Sequence, residues 1–264
     1  MRRRWTFYVA LLLIASSLLY LADRRVGILS FVAERVPYFQ PSAGDYVNQG
    51  REAFRSGDLA KAVVDLQNAL EKDPTAAEAY YMLALVFKSM GRFDEAAKAV
   101  EDLQRVVEDD LGSAEAHYVL ALALESVGRF DEAVRAYQTS ADLNPNLAAP
   151  HFNLAVIYKA EGKWDLQEAE LKRAIELEPE FTGAHFLLAD LYYAQNRLEE
   201  ALAEFQRVIE IGAVGTAELV TAYLRSGDIY ARLQDWERAR EAWDAALRVD
   251  PGNEEAKERL EMYR

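Results

Sequence analysis

Residues 114–133 read AEAHYVLALALESVGRFDEA, and residues 77–96 read AEAYYMLALVFKSMGRFDEA. Fourteen of the twenty positions are identical, and the two copies start 37 residues apart. A chain that says nearly the same thing twice at this distance is built from a repeated supersecondary unit. In the copy that begins at Ala77, Tyr80, Leu83, Ala84 and Phe87 fall at i, i+3, i+4 and i+7, one face of a helix. Gly91 then supplies a left-handed turn that stops the helix. Phe93 is expected to pack at the turn. Asp94 and Glu95 open a second helix, where negative charge suits the N-terminal dipole. Ala96 lets that second helix approach the first closely.

Working outward, the residues equivalent to Gly91 are Gly57, Gly128, Gly162, Asn196 and Gln234. They define six units at 43–76, 77–113, 114–147, 148–181, 182–219 and 220–253, four of them 34 residues long. Ala62, Ala133, Ala201 and Ala239 repeat the small residue, and Pro74, Pro145, Pro179 and Pro251 end the second helix in four units. Three departures stand out. The second unit has Glu108 in place of a Pro and three extra residues, which should lengthen a helix. The fifth has four extra residues and GAVGT at 212–216, where its junction with the sixth could bend. The fourth has Gln167 where a small residue is expected, and that bulk should loosen or re-angle its helix pair.

One such hairpin cannot bury its apolar faces alone, whereas stacked hairpins can. Residues 254–264 supply a polar end: Asn253 is a good N-cap, and Ala256, Leu260 and Tyr263 would face inward. The period and its wording resemble the tetratricopeptide repeat over 43–253. The resemblance implies an all-α fold, a right-handed superhelical solenoid of helix-turn-helix repeats.

It also implies that the first helix of each unit lines a concave groove. The second, fifth, ninth and twelfth places share that inner face, and the last three carry the candidate side chains. In the central units they are Tyr81, Leu85 and Lys88, then Tyr118, Leu122 and Glu125, then Phe152, Val156 and Lys159, then Phe186, Asp190 and Tyr193. Aromatic and aliphatic side chains along a concavity suit an extended peptide or a partner helix, the alternative being that the rings only pack between helices. Part of the family grips chaperone C-terminal carboxylates through Lys, Asn and Arg in this groove. Here the fifth places carry no Lys and the ninth carry no Asn, so that clamp is not expected.

Composition narrows the chemistry. The 264 residues include no Cys, so there is no thiol nucleophile and no Cys-based metal site. Residues 1–42 carry six Arg and two acids, a net of +4, while 43–264 carry 24 bases and 42 acids, a net of −18. So acidic a body repels phosphate backbones and excludes nucleic acid as a natural partner. The three His residues, His117, His151 and His185, share the fourth place of successive units with Tyr46, Tyr80 and Tyr223 elsewhere. Helices about 8–10 Å apart cannot bring three such rings to one zinc, whose ligand nitrogens lie about 2.1 Å from it. Their expected role is packing with a polar tip. There is no GxSxG, no HExxH and no phosphate-binding glycine loop, so no catalytic residue, cofactor, metal or small-molecule substrate is expected.

The N-terminus divides into a basic tail (1–4), an uncharged apolar run of 18 residues from Trp5 to Ala22, and a linker (23–42). The run is near the lower limit for a spanning helix. It ends Leu19-Tyr20-Leu21-Ala22, a poor cleavage site, so an uncleaved single-pass anchor is expected rather than a removed signal. Arg2, Arg3 and Arg4 outweigh Arg24 and Arg25 offset by Asp23, which favours an extracytoplasmic repeat domain. Ile28, Phe31, Val32, Arg35 and Phe39 could form a short helix that lies on the membrane or caps the first repeat. The expected function is a membrane-anchored scaffold that binds a protein or peptide segment. Its architecture resembles bacterial inner-membrane repeat proteins that assist envelope assembly or cytochrome maturation. The alternatives are a soluble extracytoplasmic binding module after signal cleavage, or a non-catalytic accessory subunit of a membrane enzyme.

Overall fold

The computed structural model describes residues 41–212 and 216–263, and every regular element in them is α-helical. The helices are α1 (Ala43–Arg55), α2 (Leu59–Lys72), α3 (Ala77–Ser89), α4 (Phe93–Asp109), α5 (Ala114–Ser126), α6 (Phe130–Leu143) and α7 (Ala148–Ala160). They continue as α8 (Trp164–Leu177), α9 (Thr182–Ala194), α10 (Leu198–Ile211), α11 (Thr216–Arg232), α12 (Trp236–Val249) and α13 (Glu254–Met262). Odd and even helices from α1 to α12 pair as six hairpins, which stack in sequence order into a solenoid, and α13 packs on α12. The tail at 1–4, the apolar run at 5–22 and the linker up to residue 40 lie outside the described residues. No described helix is long and apolar enough to cross a membrane.

Each hairpin closes by the same device. Gly57, Gly91, Gly128, Gly162, Asn196 and Gln234 all have positive φ, from 60 to 83°. The next residue's N–H returns to the carbonyl five residues back, as in Arg92 to Phe87 at 2.8 Å and Asp235 to Tyr230 at 2.9 Å. This satisfies helix-end carbonyls that otherwise lack partners. Glycine takes that conformation freely, while Asn196 and Gln234 hold it against their Cβ.

The small residues stand at the helix crossings. Ala62, Ala96, Ala133, Ala201 and Ala239 are at most 1% exposed. Phe93 does not pack at the turn as expected: it is 68% exposed. As the first residue of α4 it projects past the pair interface. The turn is covered instead by the preceding cation, with the Arg92 guanidinium 4.7 Å from the Phe87 ring centre. Arg197 over Tyr192 (4.0 Å) and Lys163 over Tyr158 (5.6 Å) repeat the arrangement, and in the last unit Arg238, three places farther on, covers Tyr230 (4.7 Å).

Helices absorb the extra residues. The second unit's three go into α4, which has 17 residues where α2, α6, α8, α10 and α12 have 14. The fifth unit's four go into the start of α11, which has 17 residues and begins at Thr216, ahead of the 219/220 boundary. Gln167 does not loosen its pair: α7 and α8 pack as closely as α3 and α4. The side chain is instead fully buried, and neither its amide oxygen nor its amide nitrogen has a partner. The flexible chain folds into the space, so the departure is met by desolvation rather than by separation.

At the C-terminal end, Asn253 Oδ1 accepts from Ala256 N–H at 3.0 Å and starts α13. Ala256 is fully buried and Leu260 packs on the last core cluster. Tyr263 remains partly exposed, but its ring stacks on Trp236 (5.0 Å) and Trp243 (5.4 Å).

Candidate partner-binding groove

The groove is built from the odd helices, because α-helical spacing puts the fifth, ninth and twelfth places of each unit on one stripe. Tyr81, Leu85, Tyr118, Leu122, Phe152, Phe186 and Tyr193 are half-buried there. Lys88 and Lys159 are exposed at its margin. The twelve side chains do not act alike.

The polar members tie the scaffold together. Tyr118 Oη accepts from Asn153 Nδ2 at 3.1 Å, and its ring lies 5.8 Å from that of Tyr137. Tyr137 is fully buried and donates its hydroxyl to the Glu125 carboxylate at 2.7 Å. Burial, then the hydrogen bond to Glu125, push the Tyr137 pKa far upward, so it stays a donor. Lys88 Nζ donates to the Ser126 carbonyl at 2.5 Å, across to the next unit. Lys159 and Asp190 pair at 2.9 Å in the same manner. These polar groups have partners already.

The apolar stripe opens between α7, α9 and α11. Phe152, Val156 and Phe186 line a cleft of about 330 Å³ together with Gly183, Leu187 and Glu218. Val156 is 36% exposed, more than the other apolar members of the twelve. Phe152 rests on Phe181 (4.8 Å) and Phe186 on the buried Phe205 (6.2 Å), so both rings are held from behind. Gly183 leaves the Phe152 ring its room: a Cβ there would sit 3.3 Å from that ring. Farther along, Tyr193 lies under two guanidinium groups, Arg225 at 4.8 Å and Arg232 at 5.0 Å. Glu218 escapes the place-by-place reading because α11 extends ahead of residue 220, and Arg225 and Arg232 because they stand at the sixth and thirteenth places. Their seven-residue spacing is the signal that could have found them.

The histidines form a separate pattern outside the groove. His151 Nδ1 lies 2.6 Å from Glu170, and His185 Nδ1 lies 2.6 Å from Glu204, the same nineteen-residue offset in adjacent units. His185 Nε2 also faces the Pro179 carbonyl at 3.0 Å. With acceptors at both nitrogens, His185 satisfies them fully only as the imidazolium. Burial pulls its pKa down, but Glu204 and the Pro179 carbonyl outweigh it, and the net shift is upward. The buried Nε2 of His117 has no partner, since Ala136 stands where those carboxylates would be. Among the described residues, no group of three or more His, Asp or Glu side chains is arranged to hold a metal ion.

Tetratricopeptide-repeat models match residues 50–91, 81–148, 148–181, 168–218 and 220–253, which together cover all of 50–253 except residue 219. No curated protein sequence matches the chain. Among solved structures, pilF of Pseudomonas aeruginosa is similar at 20% identity and a TM-score of 0.64, covering 83% of this chain and 97% of that one. PilW, described as a widely conserved type IV pilus biogenesis factor, is similar at 22% identity and 0.63, covering 83% and 98%. YrrB, described as a TPR protein with an unusual peptide-binding site, is similar at 22% identity and 0.54, covering 74% and 97%. At these identities the likeness concerns the fold. The repeat models and the fold agree, and the chain belongs to the tetratricopeptide-repeat family.

Proposed function

We propose that the chain is a non-catalytic scaffold that holds a segment of a partner protein in its groove. In this reading residues 5–22 anchor it to a membrane, with the repeats outside the cytoplasm. The observation that carries the binding reading is the cleft at Phe152, Val156 and Phe186. There, apolar surface stays open beside rings held rigid from behind, as binding hot spots require. Support for the anchor comes from the uncharged run between Arg4 and Asp23 and from the excess of Arg before it. The envelope setting rests on that architecture alone. The described peptide-binding site of YrrB supports only the general mode, a polypeptide held by the repeats, and the residues named here are this chain's own.

In-cell photocrosslinking tests the groove. A crosslinker at position 156 should capture a discrete partner, and one at Glu101, exposed on α4, should not. Equal capture from both positions would remove the groove from the account. A reporter fused after Arg264 should be active only outside the cytoplasm, and the protein should resist carbonate extraction. Activity of a strictly cytoplasmic reporter, or release by carbonate, would overturn the anchored reading.

A further inference from the structure

Three side chains of α11, Glu218, Arg225 and Arg232, are spaced seven residues apart. Seven residues are nearly two helical turns, so the three lie on one stripe, successive members about 10 Å apart along the axis. The stripe faces the groove at both ends. Glu218 lines the cleft of Phe152 and Phe186, while Arg225 and Arg232 lie over Tyr193.

Three of the nearby carboxylates are committed elsewhere. Asp228 takes Arg259 Nη2 at 3.0 Å and Trp243 Nε1 at 3.3 Å. Asp190 takes Lys159, and Glu255 takes Arg259 at 2.7 Å. Glu258 lines the neighbouring C-terminal cleft that Arg232 also borders. Among the described residues, Arg225 contacts the Tyr193 ring, and Arg232 contacts that ring and the Asn196 side-chain oxygen at 3.3 Å. In a body with 42 acids and 24 bases, two adjacent groove arginines without a carboxylate are the opposite of what composition favours.

We infer that the groove selects a partner segment of defined polarity: a large apolar side chain in the cleft beside Glu218, and an acidic side chain between Arg225 and Arg232. This rests on the groove reading above. An extended chain advances about 3.3 Å per residue, so a separation of about 10–20 Å corresponds to roughly three to six residues. Glu218 repels an acid placed at the apolar end, which fixes the orientation of the segment. The Tyr193 ring holds both guanidinium groups in place, leaving their N–H edges to donate to a carboxylate.

The probe is a displayed library of random peptides, selected on the intact repeat domain within the full chain. Selected peptides should be enriched in Asp or Glu at about three to six residues from an aromatic or large aliphatic residue. Arg225→Gln with Arg232→Gln should abolish the acidic enrichment and keep the apolar one, weakening a selected peptide about tenfold or more. Apolar enrichment without acid, or acid enrichment that survives the double substitution, would overturn the inference and leave the groove reading standing. Absence of any enrichment, or enrichment that Val156→Arg does not remove, would defeat both. Circular dichroism checks the double variant. If it loses its fold, salt decides. A selected acidic peptide should bind more weakly as ionic strength rises from about 0.05 to 0.5 M, over which screening becomes strong. Its Lys-substituted counterpart should not, and equal salt dependence would contradict the inference.

Discussion

The first three repeats and the last three obey the same pattern but solve different problems. From Val47 to Tyr158 the buried residues form one continuous core, and α3 packs on both α1 and α5. Beyond it the core splits into one cluster centred on Leu171, Leu188 and Phe205 and another on Trp243. There α7, α9 and α11 make no comparably close contacts, and the stack is carried by the even helices. Polar links take over some of the work. Glu168 receives Arg197 at 2.7 Å, Lys172 at 2.7 Å and the Tyr192 hydroxyl at 3.1 Å. In the first three repeats, inner helices close together and their polar groups satisfy one another. In the last three the inner surface opens into the cleft of Phe152, Val156 and Phe186.

The largest expected effect separates the two regions by cooperativity. Trp243→Ala should cost about 3–5 kcal/mol. Hydrogen exchange should show the loss in α11–α13, with α1–α6 still protected. Leu103→Ala, in the continuous core, should cost about 2–5 kcal/mol and lower protection across α1–α7 together. Uniform loss of protection in both variants would mean that the solenoid melts as one unit and that the division of the core is irrelevant.

Exchange at one structural place sharpens the comparison. Gln167→Leu should stabilise by about 1–3 kcal/mol, because it relieves two unpaired buried polar atoms at similar volume. Gln167→Ala should be neutral or mildly stabilising. Ala133→Leu should instead cost about 1–3 kcal/mol by overpacking. Chemical denaturation measures all three. Strong destabilisation by Gln167→Ala would reveal a hydrogen-bonding role for that amide.

Charge should make the C-terminal region more sensitive to pH. The Arg197 guanidinium, aided by Lys172 and Tyr192 against burial, lowers the Glu168 pKa from 4.5 to about 2. A depressed carboxylate contributes stability above its unfolded pKa, and that contribution is lost as pH falls from 4.5 toward about 2. Glu168→Gln should flatten stability over that window. His185 has the opposite sign. Its raised pKa gives stability that is complete below about 6.5 and lost as pH rises through the folded value. Melting temperature should therefore decline on the alkaline side, less so in His185→Gln. A decline unchanged in that variant would take His185 out of the explanation. The smallest effect concerns the turns: Gln234→Gly, exposed and at φ 62°, should stabilise by about 1 kcal/mol, whereas nothing comparable is available at Gly128.

Much of the fold is legible in the residues because its decisive interactions are local. Gly91 and its equivalents, the prolines after each second helix and the buried alanines act within one hairpin. What escapes is tertiary. Phe93 reads as a packing residue, yet the Arg92 stem and guanidinium reach the Phe87 ring first. The His185–Glu204 pair joins residues nineteen apart on facing helices, a spacing no helical period marks. In the groove, the stripe of Tyr118, Phe152 and Phe186 is readable from its period. Whether a ring stays open depends on neighbours: Tyr118 is engaged by Asn153 and Tyr137, while Val156 borders the cleft. Arg225 and Arg232 stand at the sixth and thirteenth places, beside the fifth, ninth and twelfth that the repeat pattern picks out.

The most direct test of the scaffold account is the affinity of the crosslinked partner, or the segment mapped from it, for Val156→Arg, with circular dichroism alongside. Val156 is among the more open apolar groove side chains, so Arg at that position should fill the cleft without disturbing the helices. Binding should weaken tenfold or more, about 1.4 kcal/mol, with an unchanged spectrum. A folded Val156→Arg protein that binds with wild-type affinity would contradict the account.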